Sequence, residues 1–191
     1  MLAICGLGNP GKKYMKTRHN IGFVLIDQVV KKYNFTFLKK DSKKELYKGL
    51  INKKNCILIK PLTFMNLSGL SVLETLTFYK IKTTNLYVIH DDLDLNVAKL
   101  KIKIGGGNGG HNGLANIDSL IGNNYNRIRF GIGRPTNKNL VSSYVLKKFI
   151  KSEENLINDK ITKITENFEL IFSDISLFLT RISERDKISG V

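Results

Sequence analysis

The sequence predicts an α/β fold: a single domain over residues 1–191, with a mixed, mainly parallel twisted sheet flanked by helices and a long C-terminal helix. Three observations carry this. Short runs of strand character alternate with runs of helical periodicity, the order that builds a largely parallel sheet. No internal repeat or linker interrupts the chain, and 191 residues can close one full core. Finally, Leu156, Ile157, Ile161, Ile164, Phe168, Ile171, Phe172 and Ile175 recur at helical spacing, giving a C-terminal amphipathic helix that packs on the sheet.

In chain order, Met1–Cys5 reads as a buried strand and begins the chain directly, with no signal peptide expected. A helix starts near His19-Asn20, with Ile21, Val24, Leu25 and Val29 on its apolar face. Glu45–Ile51 and Asn55–Lys60 are strand-like, and the basic stretch Lys39–Lys44 before them reads as a solvated loop. Helical spacing resumes at Leu73, Leu76 and Tyr79. Leu86–Ile89, Lys99–Ile104 and Arg127–Gly133 are the remaining strands, and Leu140–Ile150 is a short mixed segment suited to a lid. Cys5 and Cys56 both fall in apolar strand patterns, so they read as small buried hydrophobes in a reducing compartment.

Charge narrows the function. The net charge is +15, with 14 Lys/Arg against 3 Asp/Glu in residues 1–60, 12 against 5 in 61–151, and 5 against 8 in 152–191. The excess belongs to the body of the fold, and a polyanion, nucleic acid first, is the natural partner. No apolar run approaches the roughly 20 residues of a membrane span. The expectation is a cytoplasmic monomer with no membrane contact.

Two glycine stretches need weighing. Gly6-Leu7-Gly8-Asn9-Pro10-Gly11 matches the G-x-G-x-x-G dinucleotide fingerprint, but no helical stripe opens at the third glycine and Asp27, the acid nearest the required spacing, falls inside the next helix. Gly105–Gly113 holds six glycines in nine residues between a strand and a helix. That density turns backbone N–H groups toward a ligand or makes a tight turn, with Asn112 as the helix cap.

Asn9, Asn66, Asp91 and Asn112 lie at or beyond strand ends, on the edge where an open α/β sheet binds ligands. His19 sits at a loop-to-helix joint. A carboxylate such as Asp91 accepting its Nδ1–H would fix the tautomer and leave Nε2 basic. No G-x-S-x-G elbow and no cysteine lies near these loops, so water is the attacking group, with the asparagines as neutral donors for an oxyanion. Two other readings stand beside this one. His90, Asp91, Asp92, Asp94 and His111 could ligate a divalent ion in a phosphoesterase, although Asp92 and Asp94 face opposite to Asp91 in an extended chain. A non-catalytic RNA-binding protein would share the basic surface without needing His19 and Asp91.

The motifs taken together resemble the bacterial peptidyl-tRNA hydrolase family. The blocks are Gly6–Gly11 with Tyr14, Thr17-Arg18-His19-Asn20 and Gly22; Lys60–Gly69; His90–Leu95; Gly105–Leu114; and Gly131–Pro135, in family order over about residues 1–150. The resemblance implies hydrolysis of the ester between a peptide and the 3′-terminal ribose of tRNA, without cofactor or metal. It implies His19 as general base supported by Asp91, and Asn9 distinguishing N-blocked from free aminoacyl groups. Asn66 and Asn112 would hold the peptide main chain and the water. Tyr14 and Phe64 would line the site for the tRNA 3′ end, and Lys103 and Arg129 would meet tRNA phosphate.

Overall fold

The computed structural model describes residues 1–183; residues 184–191, which the one-domain expectation also covers, lie outside the described residues. Seven strands, β1 (Leu2–Gly6), β2 (Thr36–Lys40), β3 (Lys44–Ile51), β4 (Lys54–Pro61), β5 (Leu86–Asp92), β6 (Leu100–Ile104) and β7 (Asn126–Gly131), form one sheet in the order β2-β3-β4-β1-β5-β7-β6. The central run β4-β1-β5-β7 is parallel, while β2, β3 and β6 run antiparallel to their neighbours.

The two-residue alternation of strands sorts the core into two layers. Ile4, Leu58, Ile89, Ile128 and Phe130 face α1 (Ile21–Lys32), α5 (Lys151–Glu166) and α6 (Ile175–Ser183). Ala3, Cys5, Ile57, Ile59 and Val88 face α2 (Ser68–Phe78) and α3 (Asn112–Ile121). Helix α1 buries Ile21, Leu25, Ile26 and Val29, each worth about 1.5–3 kcal/mol of apolar burial. It lies unusually close to β1, because a Cβ on Gly6 would collide with the Gly22 carbonyl. Close packing, rather than dinucleotide binding, therefore accounts for Gly6, and Gly11 (φ 103°) leads into a 3₁₀ turn at Lys12–Tyr14 instead of a helix. Cys5 and Cys56 are buried free thiols, as expected.

Two elements differ from the sequence reading. Lys39 and Lys40 are not loop but close β2, an edge strand whose five residues are all exposed. Such a strand shows no buried alternation to detect, and its lysines are what an unpaired edge needs to discourage further pairing. The loop shrinks to residues 41–43, and Lys44 is buried with its ammonium 2.5 Å from Glu74. At the other end the C-terminal helix is α5, sixteen residues long. The apolar stripe outlasts it, since Phe168 and Ile171 are buried from a separate 3₁₀ turn, Phe168–Phe172, before α6. The break falls at Asn167, whose side chain donates to the Lys163 carbonyl (2.9 Å) and so competes with continuation of the helix.

Candidate active site

His19 lies in the 3₁₀ turn Arg18–Asn20 that feeds α1, and Asp91 is the penultimate residue of β5. Their side chains meet: His19 Nδ1 is 2.8 Å from Asp91 Oδ1 and 3.0 Å from Oδ2. A third group completes the arrangement. His111 Nε2 is 3.0 Å from the same Oδ1, while His111 Nδ1 accepts the backbone N–H groups of Gly113 (3.2 Å) and Leu114 (3.3 Å). An Nδ1 that accepts two N–H bonds carries no proton, so the His111 proton sits on Nε2 and points at Asp91. Asp91 thus accepts from both rings, and in the neutral His19 ring this leaves Nε2 as the acceptor nitrogen, with no partner among the described residues. Burial would raise the Asp91 pKa, but His19 and His111 outweigh it and hold the carboxyl well below the usual range. The sequence reading made Asn112 the cap of α3; His111 caps it instead, and Asn112 is the first helical residue, its side chain without a hydrogen bond among the described residues.

His90, beside this trio, is kept neutral. Its Nδ1–H donates to the Asp91 carbonyl (2.8 Å), its Nε2 is buried without a partner among the described residues, and its pKa is pushed down to about 3 by burial and then by His111. An unfolded histidine titrates near 6.5. Between pH 6.5 and 3 the unfolded chain therefore takes a proton that the folded chain refuses, and stability falls on acidification through that window. Asp91 acts in the same direction lower down, since its contribution is present above the unfolded carboxylate pKa and is lost as pH falls below it. The His90→Asn variant keeps a donor for the Asp91 carbonyl but removes the titration. Unfolding free energies from urea titrations at pH 6.5 to 4 should then lose up to about 1.4 kcal/mol per pH unit of slope. An unchanged slope would show that His90 protonates freely in the folded chain.

A cavity of about 740 Å³ opens on the trio, bordered by Asn9, Phe64, Met65, Asn66 and Asn112 and, on the far side, by Leu93, Val141, Val145 and Leu146. Asn9 is locked in place: its backbone exchanges two 2.9 Å bonds with the Asn20 amide, and its side-chain oxygen accepts Met65 N–H at 2.9 Å. Only its NH₂ remains for a ligand. The amides of Asn66 and Asn112 make no hydrogen bond among the described residues. The structure brings the three amides to the border of one cavity, Asn9 with only its NH₂ uncommitted among the described residues. Tyr14 does not border the cavity; it packs edge-on against exposed Phe64, ring centroids 6.4 Å apart, and so reaches the rim only through that ring. Val141–Val145 forms a short helix, α4, in the segment read as a lid. Arg18 fastens this segment beside His19. Its buried guanidinium bonds the Lys148 carbonyl and Glu153 (2.5 Å) and stacks on Tyr144 and Phe149.

The glycine stretch departs from expectation. Because β6 is antiparallel to β7, it ends at the edge opposite to the ligand-binding one, with Ile104 beside Asn126. Gly105–Gly110 is the return path that carries the chain back to His111, with φ positive at Gly105, Gly106, Gly109 and Gly110. Beneath it, Arg127, Arg129 and Lys103 occupy the face of β7 and β6 that faces α3. Arg127 is fully buried and held by Asp118 (2.8 Å) and the Gly107 carbonyl (2.8 Å). Arg129 is not a free cation: its Nε lies 2.6 Å from Asp92. Lys103 borders the cavity with no acidic partner among the described residues. The ligand set envisaged for a divalent ion does not assemble, since Arg129 and Arg134 take Asp92 and Asp94. His19, Asp91 and His111 do bring their ligand atoms within 4.8 Å of one another. However, their 2.8–3.0 Å spacings are those of direct hydrogen bonds. Ligands of a tetrahedral zinc ion stand about 3.4 Å apart.

Sequence reasoning offered His111 only as a candidate metal ligand and assigned no role to Met65, Arg18 or the side chains of the lid segment. His111 carried a signal, since it stands two and three residues before the N–H groups it caps.

Comparison with known proteins places the whole chain in one family. The family model described as peptidyl-tRNA hydrolase matches residues 3–189. The peptidyl-tRNA hydrolase of Rickettsia canadensis is 51% identical over 175 residues, spanning 91% of this chain and 95% of its own. That of Rickettsia prowazekii is 51% identical over 172 residues, 90% of this chain and 93% of its own. A crystal structure of peptidyl-tRNA hydrolase from Acinetobacter baumannii superposes with a TM-score of 0.88 at 38% identity, over 95% of this chain and 94% of that one. With the same fold and half of its residues shared with such relatives, the chain belongs to the peptidyl-tRNA hydrolase family.

Proposed function

We propose that the protein hydrolyses the ester joining a peptide, or an N-blocked aminoacyl group, to the 3′-terminal ribose of tRNA, working as a cytoplasmic monomer. Family membership supports the reaction. The observation that supports the mechanism is the His19 Nε2 left open to the cavity by the Nδ1 contact to Asp91.

In this reading, water donates a proton to His19 Nε2 as its oxygen attacks the ester carbonyl. The imidazolium that forms lies against the Asp91 carboxylate, which His111 holds from its other side. The amide groups of Asn9, Asn66 and Asn112 supply N–H donors for the developing oxyanion and for the peptide main chain. Collapse breaks the bond to the ribose oxygen, which takes the proton back from His19. Asn9, with only its NH₂ free, selects an acyl group whose own nitrogen is blocked and presents an acceptor. Phe64, braced by Tyr14, receives the 3′-terminal base, while Lys103 and Arg129 meet phosphate, Arg129 by exchanging or sharing Asp92. The trio acts without a metal.

The test is incubation with N-blocked aminoacyl-tRNA. Free tRNA and the intact N-blocked amino acid should be released, and the rate should survive a chelator once the substrate's own magnesium is restored. Loss of activity that zinc or manganese alone restores would overturn metal independence. No hydrolysis of any N-blocked substrate would overturn the function.

A further inference from the structure

A second cavity, of about 770 Å³, lies on the other side of Asn9 and shares that residue with the first. Its floor is apolar, made by Phe23, Val24, Phe149 and Ile157, and its rim carries Lys12, Lys16 and Lys148. Those three lysines are exposed and have no acidic partner among the described residues. The other charges of the groove are mostly spent on each other: Lys60 lies 2.5 Å from Asp27, and Lys40 lies 3.0 Å from Glu45. Glu154 is the one acid there without a basic partner among the described residues, so a surplus of positive charge remains. One short turn separates the two cavities. In Lys12–Tyr14 and the residues after it, Tyr14 faces Phe64 at the rim of the first cavity, while Lys12, Met15 and Lys16 face the second. The turn is held by Gly11 at φ 103° and by Lys16 at φ 62°, a left-handed conformation unusual for a side-chain-bearing residue.

We infer that this groove binds the phosphates and bases of the single-stranded nucleotides that precede the 3′-terminal adenosine of tRNA. The inference rests on the proposed reaction and adds a subsite to it. A substrate whose ester lies at His19 has two arms, and each must leave past different walls. The apolar lid side, Leu93, Val141, Val145 and Leu146, suits a peptide of any sequence. The lysine-rimmed groove suits the arm that carries a phosphate at every step, and Met15, 59% exposed, and Phe149 offer surface for base faces. Sheet order places the groove with β2, β3 and β4 on one side of His19, and Lys103 and Arg129 with β6 and β7 on the other.

The test is the triple variant Lys12→Ala, Lys16→Ala, Lys148→Ala, all surface positions. On N-blocked aminoacyl-tRNA, KM should rise roughly tenfold or more with kcat unchanged, the pattern of lost uniform binding. The log–log salt slope of affinity for deacylated tRNA should fall by about two, three single-strand phosphate contacts at about 0.7 each. N-blocked aminoacyl-adenosine, which lacks the preceding nucleotides, should not distinguish the variant from its parent. Equal KM and equal salt slope on tRNA, with the parent active, would overturn the groove while leaving the reaction intact. A KM rise on the adenosine ester that grows with peptide length would also overturn it, assigning the groove to the peptide. A parent that binds tRNA but hydrolyses no ester would overturn the reaction instead, and the salt slope would still read the groove.

Discussion

Replacing His19 by alanine is expected to lower kcat on N-blocked aminoacyl-tRNA by roughly 10²–10⁴, the usual worth of a positioned base. KM should change little. The groups proposed to hold the substrate, Asn9, Asn66 and Asn112, stand on three other segments of the chain. Asn9 is fixed by Asn20 and Met65 rather than by the imidazole. The variant also leaves a vacancy next to a cavity of about 740 Å³, so added imidazole can reach Asp91. Partial recovery of rate with imidazole, absent for the parent, would separate loss of a base from loss of structure. Near-parental turnover in His19→Ala would remove His19 as the base.

Much of the fold around this site is legible in the sequence, for physical reasons that differ from residue to residue. Strands β1, β4, β5 and β7 were legible because both their faces are buried and their side chains are correspondingly apolar or paired. Strand β2 was not, because all five of its residues are exposed and its lysines look like those of a loop. His19 and Asp91 could be placed at one sheet edge from the alternation of strands and helices alone, yet their 2.8 Å contact depends on a turn angle that no pattern reports. The glycine stretch misled in direction. A strand followed by a helix reads as a parallel unit, and only the pairing of Ile104 with Asn126 shows β6 to be antiparallel. The same blindness to pairing left Arg129 as a free cation when Asp92 holds it. Asn112 was taken as the cap of α3 because asparagine is a better cap than histidine in general. His111 takes the position because its other nitrogen is claimed by Asp91, which fixes the ring with Nδ1 toward the helix.

Changing Asp91 to asparagine should cost nearly as much as removing His19, a kcat lower by about 10²–10⁴, with KM again almost unchanged. The carboxylate offers oxygen to His19 on both sides of its head, at 2.8 and 3.0 Å, and Oδ1 also accepts His111 at 3.0 Å. An amide offers one oxygen and one NH₂. With the oxygen at Oδ1, both histidine bonds survive but the NH₂ meets the His19 Nδ1–H donor at the other position. With the amide turned round, the NH₂ faces the His111 Nε2–H, which cannot turn away because its Nδ1 caps α3. The amide therefore opposes one ring or the other, and in neither pose does it carry the charge that stabilises the imidazolium. Changing His111 to asparagine separates these two contributions. Asparagine can still cap α3, but the bond to Asp91 is lost while the charge on Asp91 stays, so kcat should fall by only about tenfold to a hundredfold. Thermal unfolding of the two variants beside the parent would show whether the fold survives each change. A His111→Asn loss as large as that of Asp91→Asn would mean that positioning of the carboxylate, rather than its charge, sets the rate. An Asp91→Asn variant with parental kcat would mean that His19 needs no carboxylate at all.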